Sequence, residues 1–157
     1  MRIMVELGQR EGVESTSARE ISRRTAVPKA FLHKIVAELG KASLVRTYSG
    51  SSGGLVLARA ASTITALEII EAIEGPICLN VCLLRPHECP RDMICPAHSL
   101  WGRLQQAVVT ELQETTLAQL AEEAKALKKQ PQRPSSVAYL FPASFEHPTR
   151  ANRTAHS

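Results

Sequence analysis

A tight turn at Ala26–Pro28 separates two short helical patterns, and this pairing constrains the fold of the chain more than any other feature. The first pattern opens with Ser17 and Glu20, at the spacing of a capping box in which Ser17 accepts a backbone N–H and Glu20 reaches back. The second runs from about Pro28 to Gly40. Its apolar residues recur at three- and four-residue steps: Phe31, Leu32, Ile35, Val36 and Leu39. Two short helices across a tight turn predict a helix-turn-helix motif.

A β-hairpin is predicted directly after this motif. The β-prone runs Leu44–Tyr48 and Leu55–Arg59 flank a loop rich in glycine and serine, Ser49–Gly54. A phosphate-binding loop would need a Lys-Ser or Lys-Thr pair and a helix after it, and neither is present, so we interpret the loop as a flexible wing. The predicted fold class is mainly α: a winged helix-turn-helix DNA-binding domain with a small β-hairpin wing and a long C-terminal dimerisation helix.

Helical patterns are also predicted on both sides of the winged helix. They cover Met1–Arg10, a segment capped by Thr63 or Thr65 and ended by Gly75, Ala97–Glu114, and Leu117–Leu127. Trp101, Leu104 and Val108 make the third of these helices too apolar to be exposed alone. We therefore expect it to pack on its own domain and on a second subunit, giving a homodimer.

Four regions are expected along the 157 residues. They are a winged-helix DNA-binding domain (1–75), a cysteine-rich loop without helical or strand period (76–96), dimerisation helices (97–127) and a disordered tail rich in Lys, Arg, Pro and Ser (128–157). No apolar run approaches the ~18 residues needed to cross a bilayer. Met1–Leu7 does not resemble a secretory signal, and we expect a cytoplasmic protein.

Positive charge is concentrated in the winged helix. The segment from Ser17 to Ala60 carries eight Lys and Arg residues against two Glu residues, which gives +6 in a chain whose net charge is +4. A basic segment joined to a mildly acidic remainder is typical of a nucleic-acid-binding face. We expect Lys29, Ala30, His33 and Lys34 to supply base and nearby phosphate contacts, and Arg19, Arg24, Arg46 and Arg59 to anchor phosphates.

All four cysteines lie between Cys78 and Cys95. Such clustering in a reducing compartment indicates metal or redox chemistry and not a disulfide framework. Cys82, Cys89, Cys95 and His98 form the pattern Cys-x6-Cys-x5-Cys-x2-His. Soft thiolates select zinc or iron–sulfur clusters, and these wide gaps favour a cluster over zinc. Zinc and reduced or redox-switching thiols remain the alternatives. Cys78 is expected to be a buried small hydrophobe, and His87 to be exposed.

The sequence resembles the Rrf-two family of bacterial winged-helix regulators over about Met1 to Leu127. The resemblance rests on four stretches: Ile21-Ser22 through Leu44-Val45, the glycine wing, Ile64-Thr65 to Ala72, and the cysteine loop running into His98-Ser99-Leu100-Trp101. The family includes regulators of iron–sulfur cluster assembly and sensors of nitric oxide. The resemblance implies a homodimeric transcriptional regulator, a repressor, that binds a double-stranded DNA operator and is controlled by an iron–sulfur cluster sensing iron, nitric oxide or redox state.

By this resemblance Cys82, Cys89 and Cys95 look like the cluster thiolates, and His98 falls at a histidine ligand of the cluster-assembly regulators. A [2Fe–2S] cluster is preferred to a [4Fe–4S] cluster. The wing arginine that some members insert into a minor groove corresponds to about Ser49, and the acidic residue of their recognition helix corresponds to His33. The preferred operator sequence is therefore expected to differ.

Two other functions remain open, and an enzyme is not expected because no nucleophile–base pair is visible apart from the thiols. A zinc-stabilised DNA-binding protein without sensing would use the same thiols. A cluster or electron carrier would use them too, but it would leave the basic helix-turn-helix and the wing unexplained.

Overall fold

The computed structural model describes residues 1–12, 15–50, 53–91 and 94–129. The helices are α1 (Arg2–Gly8), α2 (Ala18–Thr25), α3 (Lys29–Lys41), α4 (Ala66–Glu74), α5 (Val81–Leu84), α6 (Pro96–Glu114) and α7 (Leu117–Lys128), and the strands are β1 (Val45–Tyr48) and β2 (Gly54–Leu57). Short 3-10 turns cover Ala61–Thr63 and Pro86–Glu88. Met1–Leu127 forms one compact unit. The predicted disordered tail, 128–157, lies outside the described residues from position 130 onward.

The helix-turn-helix is formed by α2 and α3. Ser17 caps α2 and accepts the Glu20 amide at 3.2 Å, as predicted. Glu20 does not reach back, because its carboxylate pairs with Arg23 and Arg24. Ala26 ends α2 in the left-handed conformation (φ 54°), and the Ser22 hydroxyl closes the turn by donating to the carbonyl of Val27 at 2.8 Å. The predicted second helix is thus confirmed, beginning one residue after Pro28.

The predicted hairpin is confirmed as an antiparallel pair in which Val45 faces Leu57 and Tyr48 faces Gly54. The segment before α2 joins it, since Thr16 and Leu55 exchange backbone hydrogen bonds of 3.1 and 2.8 Å. A Cβ on Gly54 would lie 2.7 Å from the Thr16 backbone. Glycine is therefore required at position 54, where the chain leading into α2 crosses the wing.

One hydrophobic core unites the N-terminal helices with α7. It contains Met4 of α1, Ile21 of α2, Leu32 of α3, Ile69 of α4 and Leu117 of α7, all essentially inaccessible to solvent. Phe31 belongs to the apolar repeat that predicted α3, but its side chain is 64% exposed. The buried stripe of α3 runs through Leu32, Val36 and Leu39. Phe31 lies about 100° of helix rotation from Leu32, outside this stripe, and its side chain projects to the surface.

The C-terminal helices extend from this core. Thr65 caps α4 in a full capping box with Glu68, and Gly75 ends that helix with a positive φ of 78°. Helix α6 packs against α4 and α5 but buries none of its own residues completely. The cysteine loop also departs from expectation. It contains α5 and a 3-10 turn, because Asn80 supplies an N-cap whose side chain accepts the Cys82 amide. No helix within the described ranges is long and apolar enough to span a membrane.

Candidate functional site

The basic surface is built on α3. Leu32, Val36 and Leu39 follow one another at four- and three-residue steps and are buried, which fixes the rotation of the helix on the core. The outward side of its first turns then presents exposed residues: Lys29, Ala30, Phe31, His33 and Lys34. Arg19 of α2, Arg46 of β1 and Ser49 of the wing are exposed as well. The fold therefore leaves these predicted DNA-contacting side chains accessible.

A cleft of about 300 Å³ separates α3 from the wing. His33 lines it from α3, Thr47 and Tyr48 line it from β1, and Gly50 and Gly53 line it from the turn. The cleft brings the recognition-helix residue His33 and the wing to one surface, although they are distant in sequence. A helix beside a hairpin is the arrangement in which one element can enter a major groove while the other reaches the backbone or minor groove.

Two predicted phosphate anchors have protein partners. Arg24 Nε lies 2.5 Å from Glu20 Oε1, and Arg24 Nη1 lies 3.4 Å from the carboxylate of Glu6, a buried residue of α1. Arg59 donates to Glu68 and to the carbonyl of Thr63, at 2.5 and 3.0 Å. Both arginines thus have a structural role in joining elements, and their phosphate contacts stay predictions.

Two of the paired carboxylates, Glu20 and Glu68, have pKa values below the usual one and are stabilised in the charged form. Hydrogen bonds from Arg23 and Arg24 lower the pKa of Glu20 to about 2. Partial burial acts to raise the pKa of Glu68, but hydrogen bonds from Arg59 and Thr65 outweigh it and hold that pKa below its usual value. Lys29, His33 and Lys34 are exposed, and they form the basic surface offered by the start of α3.

Two exposed aromatic residues of this surface were missed by the sequence analysis. Phe31 is 64% exposed on α3, and Tyr48 is 55% exposed at the end of β1. Leu32, Val36 and Leu39 lie on one stripe of the helix and Phe31 lies outside it, so the four- and three-residue spacing of those three residues was the available signal. Phenylalanine in a major groove can contact the methyl group of thymine, which makes Phe31 a candidate base-reading residue.

The cysteine loop is held by local hydrogen bonds. The Cys78 thiol donates to the Asn80 carbonyl at 2.9 Å, and the Asn80 side chain accepts the Cys82 amide at 3.4 Å. Cys95 is the N-cap of α6, and its carbonyl accepts the amide of His98 at 3.2 Å. All four cysteines are half-buried and none forms a disulfide. Cys78 is thus less buried than predicted, whereas His87 is exposed as predicted.

The donor set fits an iron–sulfur cluster by its chemistry. Cys82, Cys89 and Cys95 offer three soft sulfur ligands, and His98 adds a ring nitrogen, Nδ1, that is shielded from solvent. Among the described residues, however, no three His, Cys, Asp or Glu side chains are gathered closely enough to hold a metal ion. Binding would therefore require the loop to close around the cluster.

Comparison with known proteins identifies the family. The sequence profile of the Rrf2 family, described as "Iron-dependent Transcriptional regulator", matches residues 1–123. The chain is 35% identical to the HTH-type transcriptional regulator CymR of Bacillus subtilis, over 77% of this chain and 83% of the relative. It is 27% identical to the HTH-type transcriptional regulator NsrR of Geobacillus kaustophilus, over 82% of this chain and 88% of the relative.

Solved structures agree with this assignment. The structure of CymR, described as the global cysteine regulator of B. subtilis, matches with a TM-score of 0.65 at 34% identity, over 78% of this chain and 89% of that chain. IscR of T. potens matches with a TM-score of 0.66 at 25% identity, over 84% and 86%. The chain therefore belongs to the Rrf2 family of winged-helix, DNA-binding transcriptional regulators, and it is not an enzyme.

Proposed function

We propose that this chain is a homodimeric repressor whose operator binding is controlled by an iron–sulfur cluster. Cys82, Cys89 and Cys95 would hold the cluster, with His98 as a further ligand. The observation that carries the proposal is the position of these donors: three half-buried thiols lie between the winged helix and the N-terminus of α6, and His98 lies in the first turn of α6. A change at the loop can therefore affect both the winged helix, the reading head of each subunit, and α6, the proposed dimerisation helix.

Two copies of α3 would read the two halves of a pseudo-palindromic operator. Lys29, Ala30, His33 and Lys34 would contact bases and nearby phosphates in the major groove, and Phe31 lies exposed among them. Five further residues would contact the DNA backbone: Arg19, Arg46, Ser49 and, where they can leave their acidic partners, Arg24 and Arg59. The cytoplasm, where operator DNA lies, would be the site of action.

Helix α6 would form the subunit interface. Leu100, Leu104 and Val108 recur at four-residue steps along one side of it, and they are 46%, 43% and 36% exposed. Such a stripe on a helix that buries no residue completely is typical of a face covered by a second copy. An isologous interface of this kind would set the spacing between the two reading heads.

The cluster, when bound, would supply a redox- and ligand-sensitive cross-link between thiolates that are separated along the chain. The change in operator affinity would come from the protein itself, because binding of the cluster would order the cysteine loop. Ordering the loop restricts about a dozen residues, each worth about 1–2 kcal/mol of backbone conformational entropy. Changing operator affinity ~100-fold requires only about 2.7 kcal/mol of difference between the two states, so the loop is large enough for the task.

A second candidate is a regulator of the same family that holds zinc or no metal in this loop. It is favoured by the identity to CymR, whose structure is described as that of a global cysteine regulator, and by the separation of the thiols. A cluster or electron carrier has less support, because it gives no role to the exposed basic surface of α3.

Anaerobic purification tests the proposal. We expect a coloured protein with iron, acid-labile sulfide and visible absorption, all lost in Cys89→Ala. Cys78→Ala is the matched control, since the Cys78 thiol donates to the Asn80 carbonyl and is not among the proposed ligands. A colourless wild-type protein with stoichiometric zinc, or with no metal, would support the second candidate instead.

A further inference from the structure

Gln105 joins the cysteine loop to α6. Its side-chain Nε2 donates to the carbonyl of Ile77 at 2.5 Å, and its Oε1 accepts the amide of Leu79 at 2.9 Å. In extended backbone the carbonyl of one residue and the amide two residues later point to the same side. A single primary amide can therefore satisfy both groups, as a neighbouring strand would. We call this pair of hydrogen bonds the clamp. It joins residues more than twenty-five positions apart in sequence, and Cys78 lies between the two backbone residues that it holds.

The clamp is linked to the proposed cluster ligands by short steps. Cys78, between the two clamped residues, donates its thiol proton to the carbonyl of Asn80. Asn80 in turn caps α5 by accepting the amide of Cys82. A movement of Cys82 would therefore displace Asn80 and, through the Cys78 hydrogen bond, the backbone of Ile77 and Leu79 that Gln105 holds.

The C-terminal end of α6 is attached to the reading head. Thr116, just beyond α6, pairs with Thr65 in an isolated antiparallel bridge, and Leu117 next to it is fully buried in the core. Helix α6 thus connects the clamp to the packing of the winged helix. It also carries the exposed stripe of Leu100 and Leu104, with Leu104 directly before Gln105 in sequence.

We propose that Gln105 is a positioning residue that couples the state of the cysteine loop to α6, and through α6 to the reading heads. This inference rests on the proposed function for its consequence at the operator, but the clamp itself does not depend on a cluster. Without the clamp, the loop could order or relax without biasing the dimerisation helix.

Hydrogen exchange in the metal-free full-length protein tests the clamp. In Gln105→Ala we expect the Leu79 amide to exchange about threefold to tenfold faster, the effect of one lost hydrogen bond. Iodoacetamide should also alkylate Cys78 faster. Alanine is the best helix former, so α6 is retained. Gln106→Ala is the matched control, because among the described residues the Gln106 side chain bonds within its own helix, to Thr110 at 3.1 Å. An unchanged Leu79 amide in Gln105→Ala would overturn the proposal.

Operator binding tests the coupling. The ratio of operator affinities of the cluster-loaded and cluster-free forms should fall toward one in Gln105→Ala and stay at the wild-type value in Gln106→Ala. Gln105→Glu keeps an acceptor for Leu79 but loses the donor to Ile77, so its ratio should be intermediate. A merely structural role would weaken both forms equally and leave the ratio unchanged, which would overturn the proposal. A wild-type ratio of one would instead overturn the proposed function, and the exchange experiment would still decide the clamp.

Discussion

The backbone amide of Leu117 donates to the carbonyl of Ile64 at 2.8 Å. This bond fixes the start of α7 beside the start of α4, and both side chains are fully buried in the shared core. The reciprocal bond from the Ala66 amide to the Thr115 carbonyl is also 2.8 Å. The C-terminal helices are therefore attached to the winged helix by the core itself, which gives the cysteine loop a rigid frame.

Replacing Leu117 tests this attachment. Leu117→Ala should lower the free energy of unfolding by about 2–5 kcal/mol, because it removes a fully buried leucine from a closed site. Urea unfolding followed by circular dichroism measures the change. Leu127→Ala on the same helix is the control and should stay within about 0.5 kcal/mol, since Leu127 is largely exposed. Equal effects of the two substitutions would mean that α7 is not docked as described.

Lys34 is an exposed cation on α3, and we expect its removal to weaken operator binding by the loss of one phosphate contact. Lys34→Ala should reduce affinity and lower the slope of log K against log salt by about one, the value for one phosphate contact. Fluorescence anisotropy at several salt concentrations measures both quantities. Lys41→Ala lies on the same helix but pairs with Glu38 at 2.8 Å, and it should leave the slope nearly unchanged. An unaltered slope in Lys34→Ala would remove this residue from the DNA-contacting set.

Phe31 separates a base-reading role from a core role. Phe31→Ala should change unfolding by no more than about 0.5 kcal/mol, because the side chain is exposed. It should weaken operator binding by about 1 kcal/mol if the ring contacts a thymine methyl. Leu32→Ala, at the next position, should instead lower the free energy of unfolding by about 2–5 kcal/mol, because Leu32 is fully buried. Severe destabilisation by Phe31→Ala would place the ring in the core.

The stripe on α6 predicts a change of oligomeric state. Leu104→Glu puts a charge in the middle of the proposed interface and should convert dimers to monomers at micromolar concentration, because an unpaired charge is costly to bury. Sedimentation equilibrium measures the molar mass. Arg103→Glu also adds an exposed carboxylate to α6, and it should leave the dimer intact. A dimer that persists in Leu104→Glu would place the interface elsewhere.

Local signals predicted most of the fold. The Thr65 cap, the break at Gly75 and the two strands around the glycine loop all depend on residues within a few positions of one another. Sequence reasoning failed where neighbours compete. The apolar repeat could not tell Phe31 from Leu32, and the capping spacing at Ser17 did not show that Arg23 and Arg24 would take the Glu20 carboxylate.

Long-range partners were beyond sequence reasoning altogether. The cysteines and His98 were identified by spacing, but nothing in their spacing indicates that Gln105 would hold Ile77 and Leu79. The pairing of Arg59 with Glu68 was hidden in the same way, because it depends on how the wing meets α4. Such contacts are set by tertiary packing, which a helical or strand period does not encode.

The measurement that bears most directly on the central claim is operator affinity in the cluster-loaded and cluster-free forms, made anaerobically at one salt concentration. We predict that the two forms of the wild-type protein differ by about 100-fold, equivalent to about 2.7 kcal/mol. In Cys89→Ala the same treatments should leave a single, unresponsive affinity. Equal affinities of the two wild-type forms, with the iron and sulfide content verified, would contradict the account.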